Sequence, residues 1–164
     1  MRKHMVIPDC QIKPGHSVQY LKWIGQYIVD KQPDVIVCIG DFADMPSLSS
    51  YDTGKKAFEG RTYKADIKAV HKAMDALTGP LVRLQNRQRK AKRKLYKPDM
   101  ILTLGNHEDR IDRAINNDRK LEDLISIGDL NYEEYGWTVY PFLDVVVVDG
   151  IAYSHYFYNP MTGR

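Results

Sequence analysis

The chain has 164 residues, a length that fits one domain and can bury about two-thirds of its unfolded surface without a disulfide or metal staple. Hydrophobic residues make up 43% and charged residues 27%, which excludes a disordered or fibrous chain. The longest aliphatic run, Val145–Val148, is far short of the ~20 apolar residues that span a bilayer, so no membrane partner is expected. The net charge of +3 hides an asymmetry. Arg83, Arg87, Arg89, Lys90, Lys92, Arg93, Lys94 and Lys97 are eight bases in fifteen residues with no acid among them, leaving 16 bases against 21 acids elsewhere.

In chain order, Lys3–Pro8 is a short apolar run ending at Asp9. The start before it is basic, but Met5-Val6-Ile7 is too short for a signal-peptide core. Cys10 and Cys38 sit in apolar runs and read as buried free thiols of a cytoplasmic protein. Ser17 is placed to cap a helix whose stripe is Val18, Leu21, Ile24 and Ile28. Asp34–Ile39 is apolar on both faces, as a central parallel strand is. Gly40–Gly60 has loop composition, and Thr62–Leu77 and Leu81–Leu95 read as two helices split by Gly79-Pro80. Asp99–Leu104 is a third strand, and Glu108–Asn116 and Lys120–Ile125 read as helical. Trp137–Tyr140, Leu143–Val148 and Ile151–His155 are successive strands, the last two joined by an Asp149-Gly150 hairpin turn. Alternating strands and helices predict an α/β layered sheet in a single domain, with a basic helical insertion around 81–97.

Polar residues cluster at the strand ends. The first strand ends in Asp9-Cys10-Gln11, the second in Gly40-Asp41-Phe42-Ala43-Asp44, the third in Gly105-Asn106-His107-Glu108 and a later one in Ser154-His155. Ligands of open α/β sheets bind beyond the carboxyl ends of strands. Carboxylate, amide and imidazole donors collected there suit a hard or borderline divalent cation. Each residue alone reads more simply as a turn or cap; the ordered combination carries the signal.

That combination resembles the calcineurin-like metallophosphoesterases, particularly the bacterial and bacteriophage enzymes, whose pattern is Asp-x-His, Gly-Asp-x-x-Asp, Gly-Asn-His-Glu/Asp, a later His and a final Gly-His-x-His. The resemblance runs from Met5 to the end of the chain and implies a layered sandwich of mixed β-sheets flanked by helices. It implies Asp9 as a ligand of a first metal, Asp41 bridging two metals, and Asn106 and His155 on the second. His107 would face the scissile phosphate, Asp44 would stand behind it, and Glu108 would orient it or support the loop. The implied cofactor is a pair of divalent ions about 3.5–4 Å apart that activate water for attack on phosphorus. Gln11 stands where the family has His, which makes the first site weaker or more selective for an oxygen-loving ion such as Mn²⁺, with Fe²⁺, Zn²⁺, Ni²⁺ or Mg²⁺ as the alternatives. No Gly-His-x-His follows His155, so the chain is expected to be the N-terminal part of such a domain, weakly active or inactive by itself. His16 is a remote substitute ligand.

The expected function is a dimetal phosphoester hydrolase, a phosphodiesterase or nuclease, with Asp41 and His107 as the catalytic pair. The basic block from Arg83 to Lys97 would contact DNA or RNA, since eight like charges destabilise an isolated helix and a polyanion offsets their repulsion. The aromatic run Tyr156-Phe157-Tyr158 either stacks a base or packs beneath the site. Two alternatives stay open: a phosphomonoesterase or protein phosphatase on the same centre, and a non-catalytic nucleic-acid-binding module with a degenerate metal site.

Overall fold

A computed structural model of the chain describes residues 2–50, 54, 58–158 and 161. Parts of the expected loop Gly40–Gly60 (51–53 and 55–57) and of the final segment (159, 160 and 162–164) lie outside the described residues. The regular elements are β1 (His4–Ile7), α1 (Gln19–Lys31), β2 (Val35–Cys38), α2 (Tyr63–Lys90), β3 (Asp99–Thr103), α3 (Arg110–Asn117), β4 (Thr138–Tyr140), β5 (Val146–Val148) and β6 (Ile151–Tyr153).

Every residue of β2 is buried, as its unbroken apolar run requires. It pairs in parallel with β1 (Val35 opposite His4) and with β3 (Val35 opposite Asp99), and β4 joins β3 in parallel. The sheet order is therefore β1-β2-β3-β4, with consecutive strands as neighbours. Side-chain alternation divides the core in two. Ile36 and Cys38 join Ile7, Leu102 and the buried faces of α1 and α2 on one side. Val35, Val37 and Ile101 meet Val146 and Tyr153 of the β5–β6 ribbon on the other. The fold class is α/β, with helices over one face of a parallel sheet and an antiparallel ribbon over the other.

The ribbon closes as its sequence predicts. Asp149 and Gly150 both take positive φ, 52° and 81°, the requirement of a type I′ hairpin turn. His4 anchors the ribbon to β1, with Nδ1 2.7 Å from the Tyr153 hydroxyl and Nε2 2.8 Å from Asp149 Oδ2. No helix among the described residues is long and apolar enough to cross a membrane.

The largest local correction is α2, which runs unbroken through Gly79-Pro80. Proline inside a helix costs about 3 kcal/mol, and packing offsets it here. Pro80 and Leu81 are buried, and Gly25 of α1 leaves room for the Leu77 carbonyl to approach closely. Thr78 turns its hydroxyl back onto the Met74 carbonyl at 2.8 Å. The helix stops at Lys90 instead of Leu95 because Lys92 adopts a left-handed conformation (φ 51°) and the Arg93 N–H bonds the Gln88 carbonyl at 2.9 Å. The basic stretch is thus the last two turns of α2 plus the following loop. Ser17 does not cap α1, which starts at Gln19 after Val18; its Oγ accepts from the Gln19 N–H at 3.3 Å. Lys120–Ile125 is no α-helix: a single 3₁₀ turn, Arg119–Leu121, is capped by Asp118.

Candidate metal centre

The four expected motifs lie at the carboxyl edge of the sheet, and Glu108 joins two of them, the loops after β2 and β3. It is fully buried. Its Oε2 accepts from the Asp41 N–H at 3.0 Å and the Gly105 N–H at 2.9 Å. Its Oε1 accepts from the Ala43 N–H at 2.8 Å and the Tyr132 hydroxyl at 3.2 Å. One carboxylate therefore holds the loop after β2 to the loop after β3 by four donors. Burial pushes its carboxyl upward, while the Ala43 and Gly105 N–H groups pull it down. Burial, with the charge of Glu108 beside it, also keeps the Tyr132 hydroxyl protonated and able to donate.

The two glycines are required by this closeness. Gly40 has φ +92°, and a Cβ there would meet His155 Nδ1 at 2.7 Å and the Gly105 backbone. A Cβ on Gly105 would run into the carboxylate and backbone of Asp41. Asp41 itself sits at φ 48°, a left-handed conformation that is uncommon outside glycine and worth explaining by function. It is 3% exposed, and its Oδ1 accepts from the His107 N–H at 2.9 Å. That leaves Oδ2 turned toward two imidazoles, 3.6 Å from His155 Nε2 and 3.7 Å from His107 Nε2.

His155 is oriented from behind, its Nδ1 donating to the Ile39 carbonyl at 2.8 Å. Its Nε2 then faces Asp41 Oδ2 and lies 3.0 Å from Asn106 Oδ1. A carboxylate oxygen, an amide oxygen and an imidazole nitrogen face one another, and the carbonyl behind the ring fixes the tautomer that a metal requires. This donor set fits one divalent ion. Among the described residues no three His, Cys, Asp or Glu side chains are grouped to hold a metal by themselves; the third donor here is the amide of Asn106.

Asp9 and Gln11 stand differently. Both are exposed, although the Gln11 N–H donates to the Asp41 carbonyl at 2.8 Å and Ile12 bridges to Ala43. The backbone brings them beside Asp41, but no hydrogen bond among the described residues draws their side chains into the cluster. His16 is exposed in the following turn. Cys10 is half-buried and Cys38 fully buried, both unpaired. Burial raises the Cys10 thiol to about 12 and pushes the Cys38 thiol up as well, so neither supplies a thiolate at neutral pH.

Beside the donor set lies a second cluster built on Asp44. His107 Nδ1 is 2.9 Å from Asp44 Oδ1, Lys13 Nζ is 3.0 Å from Oδ2, and Arg110 reaches both the Asp44 carbonyl (2.6 Å) and Oδ1 (3.2 Å). Burial pushes the Asp44 carboxyl upward, but the hydrogen bonds and charges of His107 and Lys13 outweigh it and hold it well below the usual carboxylate range. Arg110 Nη2 also lies 3.2 Å from His107 Nε2. A cleft of about 470 Å³ opens here, lined by Lys13, Asp44, Arg61, Asp66 and Arg110 among others. Arg110, Lys13 and Tyr132 are site residues the motifs do not name. Arg110 was legible as the i+3 neighbour of His107 at a helix start; Lys13 and Tyr132 carry no sequence signal.

The basic block is not at this edge. Strands β1 to β3 begin at the amino edge, where the Asp34 N–H bonds the Lys3 carbonyl at 2.8 Å and the Asp99 N–H bonds the Asp34 carbonyl at 2.9 Å. Helix α2 starts beside the cleft and ends there, with Tyr96 hydrogen-bonded to the Pro33 carbonyl at 2.6 Å. Its 28 residues span about 42 Å. Tyr156, Phe157 and Tyr158 are exposed next to His155, with Tyr156 in edge contact with both the His155 and Phe142 rings. Compared with protein-family models and with curated proteins, the sequence matches none.

Proposed function

We propose that the protein is a metal-dependent phosphoester hydrolase whose centre is Asp41, Asn106 and His155, with Asp9 and Gln11 as the remaining donors for a second ion. The observation that carries this reading is that Asp41 Oδ2 and Asn106 Oδ1 both lie against His155 Nε2, beside the His107–Asp44 pair. Divalent ions held by Asp41, Asn106 and His155 would supply the polarisation of the phosphoryl group and the acidification of a water. The chain's own residues do the rest. Asp44 fixes the ring of His107 through Nδ1, so that Nε2 faces the donor set, where the imidazolium form would deliver a proton to the leaving oxygen. His107 and Lys13 keep Asp44 ionised, and Arg110, bonded to Asp44 Oδ1, stands ready to meet a phosphoryl oxygen with its planar fork. Glu108 touches no substrate; it holds the two loops in register.

A second reading, a binding module with a degenerate centre, is favoured by the exposed side chains of Asp9 and Gln11. One experiment separates them: Mn²⁺ calorimetry alongside turnover of a chromogenic phosphodiester and the matching monoester. The hydrolase reading expects Mn²⁺ binding that Asp41→Asn abolishes. It also expects diester turnover that His107→Asn lowers by roughly 10²–10⁴ while Mn²⁺ affinity holds. No cleavage of either ester, with or without Mn²⁺ binding, overturns the hydrolase reading and selects the binding module. Cleavage of the monoester alone assigns a phosphomonoesterase.

A further inference from the structure

We infer that the surface formed by the end of α2 and the loop behind it is a docking site for the phosphate backbone of duplex nucleic acid, set at the sheet edge opposite the metal centre. Arg83, Arg87, Arg89, Lys90, Lys92, Arg93, Lys94 and Lys97 are all exposed. The ion pairs of the described residues include none of them. The nearby acids are engaged elsewhere: Asp99 pairs with Arg2, and Asp34 accepts from the Lys3 N–H at 2.7 Å.

The surface is held in shape. Gln85 donates to the Tyr96 carbonyl at 2.9 Å, and Gln88 accepts from the Tyr96 N–H at 2.9 Å. These bonds fold residues 91–96 back on the helix and fix the loop cations beside the helix cations. A fold that binds like charges together increases their repulsion, and a polyanion offsets it by counterion release. The helix dipole accounts for Arg87, Arg89 and Lys90 in the last turn, but not for the other five.

The surroundings select the partner. A membrane-surface helix needs an apolar face beside its basic one. Here Leu81 is buried, Leu84 and Leu95 are half-buried, and Val82 is the one exposed large apolar side chain of the stretch. Single-stranded nucleic acid needs exposed rings for stacking, and Tyr96, the one aromatic here, is half-buried and tied to Pro33. Four arginine forks and four lysines with no apolar or aromatic wedge suit a duplex backbone read without sequence.

The test is anisotropy of a labelled duplex of arbitrary sequence, about 20 base pairs long, titrated with the full chain in EDTA over a range of NaCl. Because no phosphoester is cleaved under those conditions, the result stands apart from the hydrolase reading. Reversal of Arg87, Arg89, Arg93 and Lys94 to Glu is expected to lower affinity by on the order of 100-fold at 0.1 M salt. It should also flatten the slope of log K against log salt by about 0.9 for each phosphate no longer neutralised. The same four changed to Gln give a weaker loss of the same kind and serve if the Glu variant does not fold. Lys64, Lys68 and Lys72, exposed near the other end of α2, are reversed as a control expected to change affinity less than about threefold. Equal loss from both sets overturns the assignment. So does a single strand held more tightly than the duplex, or binding only to phosphatidylserine vesicles.

Discussion

At the carboxyl edge of the sheet, Asp41, Asp44 and Glu108 are each at most 8% exposed, and every one of them is met by backbone N–H groups, imidazoles or a guanidinium. At the amino edge, eight exposed cations form no ion pair among the described residues. Buried charge is expensive unless its partners are fixed, so the first edge is rigid and intolerant of change. Exposed charge costs little locally and acts through its field, so the second edge tolerates substitution but responds to salt. One chain thus carries a buried, hydrogen-bonded charge cluster at one edge and an exposed cationic surface at the other, separated by the length of α2.

The hardest way to break the contrast is Glu108→Ala, which strands four donors at once. It is expected to cost about 3–5 kcal/mol in urea unfolding, whereas each charge reversal among the eight cations should stay within about 0.5 kcal/mol. A loss below about 1 kcal/mol at Glu108 would mean that packing alone holds the two loops.

Next comes Arg110→Met. On the hydrolase reading it should lower diester turnover by roughly 10–100-fold with Mn²⁺ affinity unchanged, since Arg110 touches His107 and Asp44 but no metal donor. Arg110→Lys should recover part of the charge but not the fork. Loss of Mn²⁺ binding in either variant would show that Arg110 shapes the donor set instead.

Acid sharpens the comparison more gently. The folded Asp44 carboxyl lies below its unfolded value near 3.9. As pH falls, the unfolded chain takes up this proton first. The stabilisation is therefore complete above about pH 4 and is lost as pH drops through the range toward the folded value. Asp44→Asn should be less stable than wild type at pH 7, and the gap should narrow on acidification. A gap that widens would refute the pairing with His107 and Lys13. The smallest effect belongs to Lys92→Gly. Glycine relieves the left-handed backbone at φ 51° and should stabilise by about 0.5–1 kcal/mol, read as a rise in the urea midpoint. A gain in stability on losing one of the eight bases would show that the fold does not need them.

Much of the carboxyl edge was legible because its residues sit at fixed offsets from apolar runs. Val35–Cys38 and Asp99–Thr103 are too apolar to lie anywhere but inside a sheet, and whatever follows them must emerge at the strand tips. Asp41 and Asn106 are therefore placed by local pattern. The hairpin at Asp149-Gly150 was readable for the same reason, since two positive-φ residues between apolar runs leave few alternatives. Pro80 was misleading because its cost is local and its compensation is not: the contact of α1 with α2 at Gly25 and Leu77 lies about 50 positions apart in sequence.

By itself, the sequence determined the α/β class, the strand tips and the residues gathered there, because hydrophobic periodicity and turn chemistry act within a few residues. Only the tertiary structure decided that Glu108 is a four-donor clamp, that Arg110 and Lys13 surround Asp44, and that Asp9 and Gln11 turn toward solvent. Only it decided that the basic block lies at the far edge from the centre. Those outcomes depend on how far an uninterrupted helix carries the chain and on which donors meet across loops, and neither quantity is encoded in local spacing.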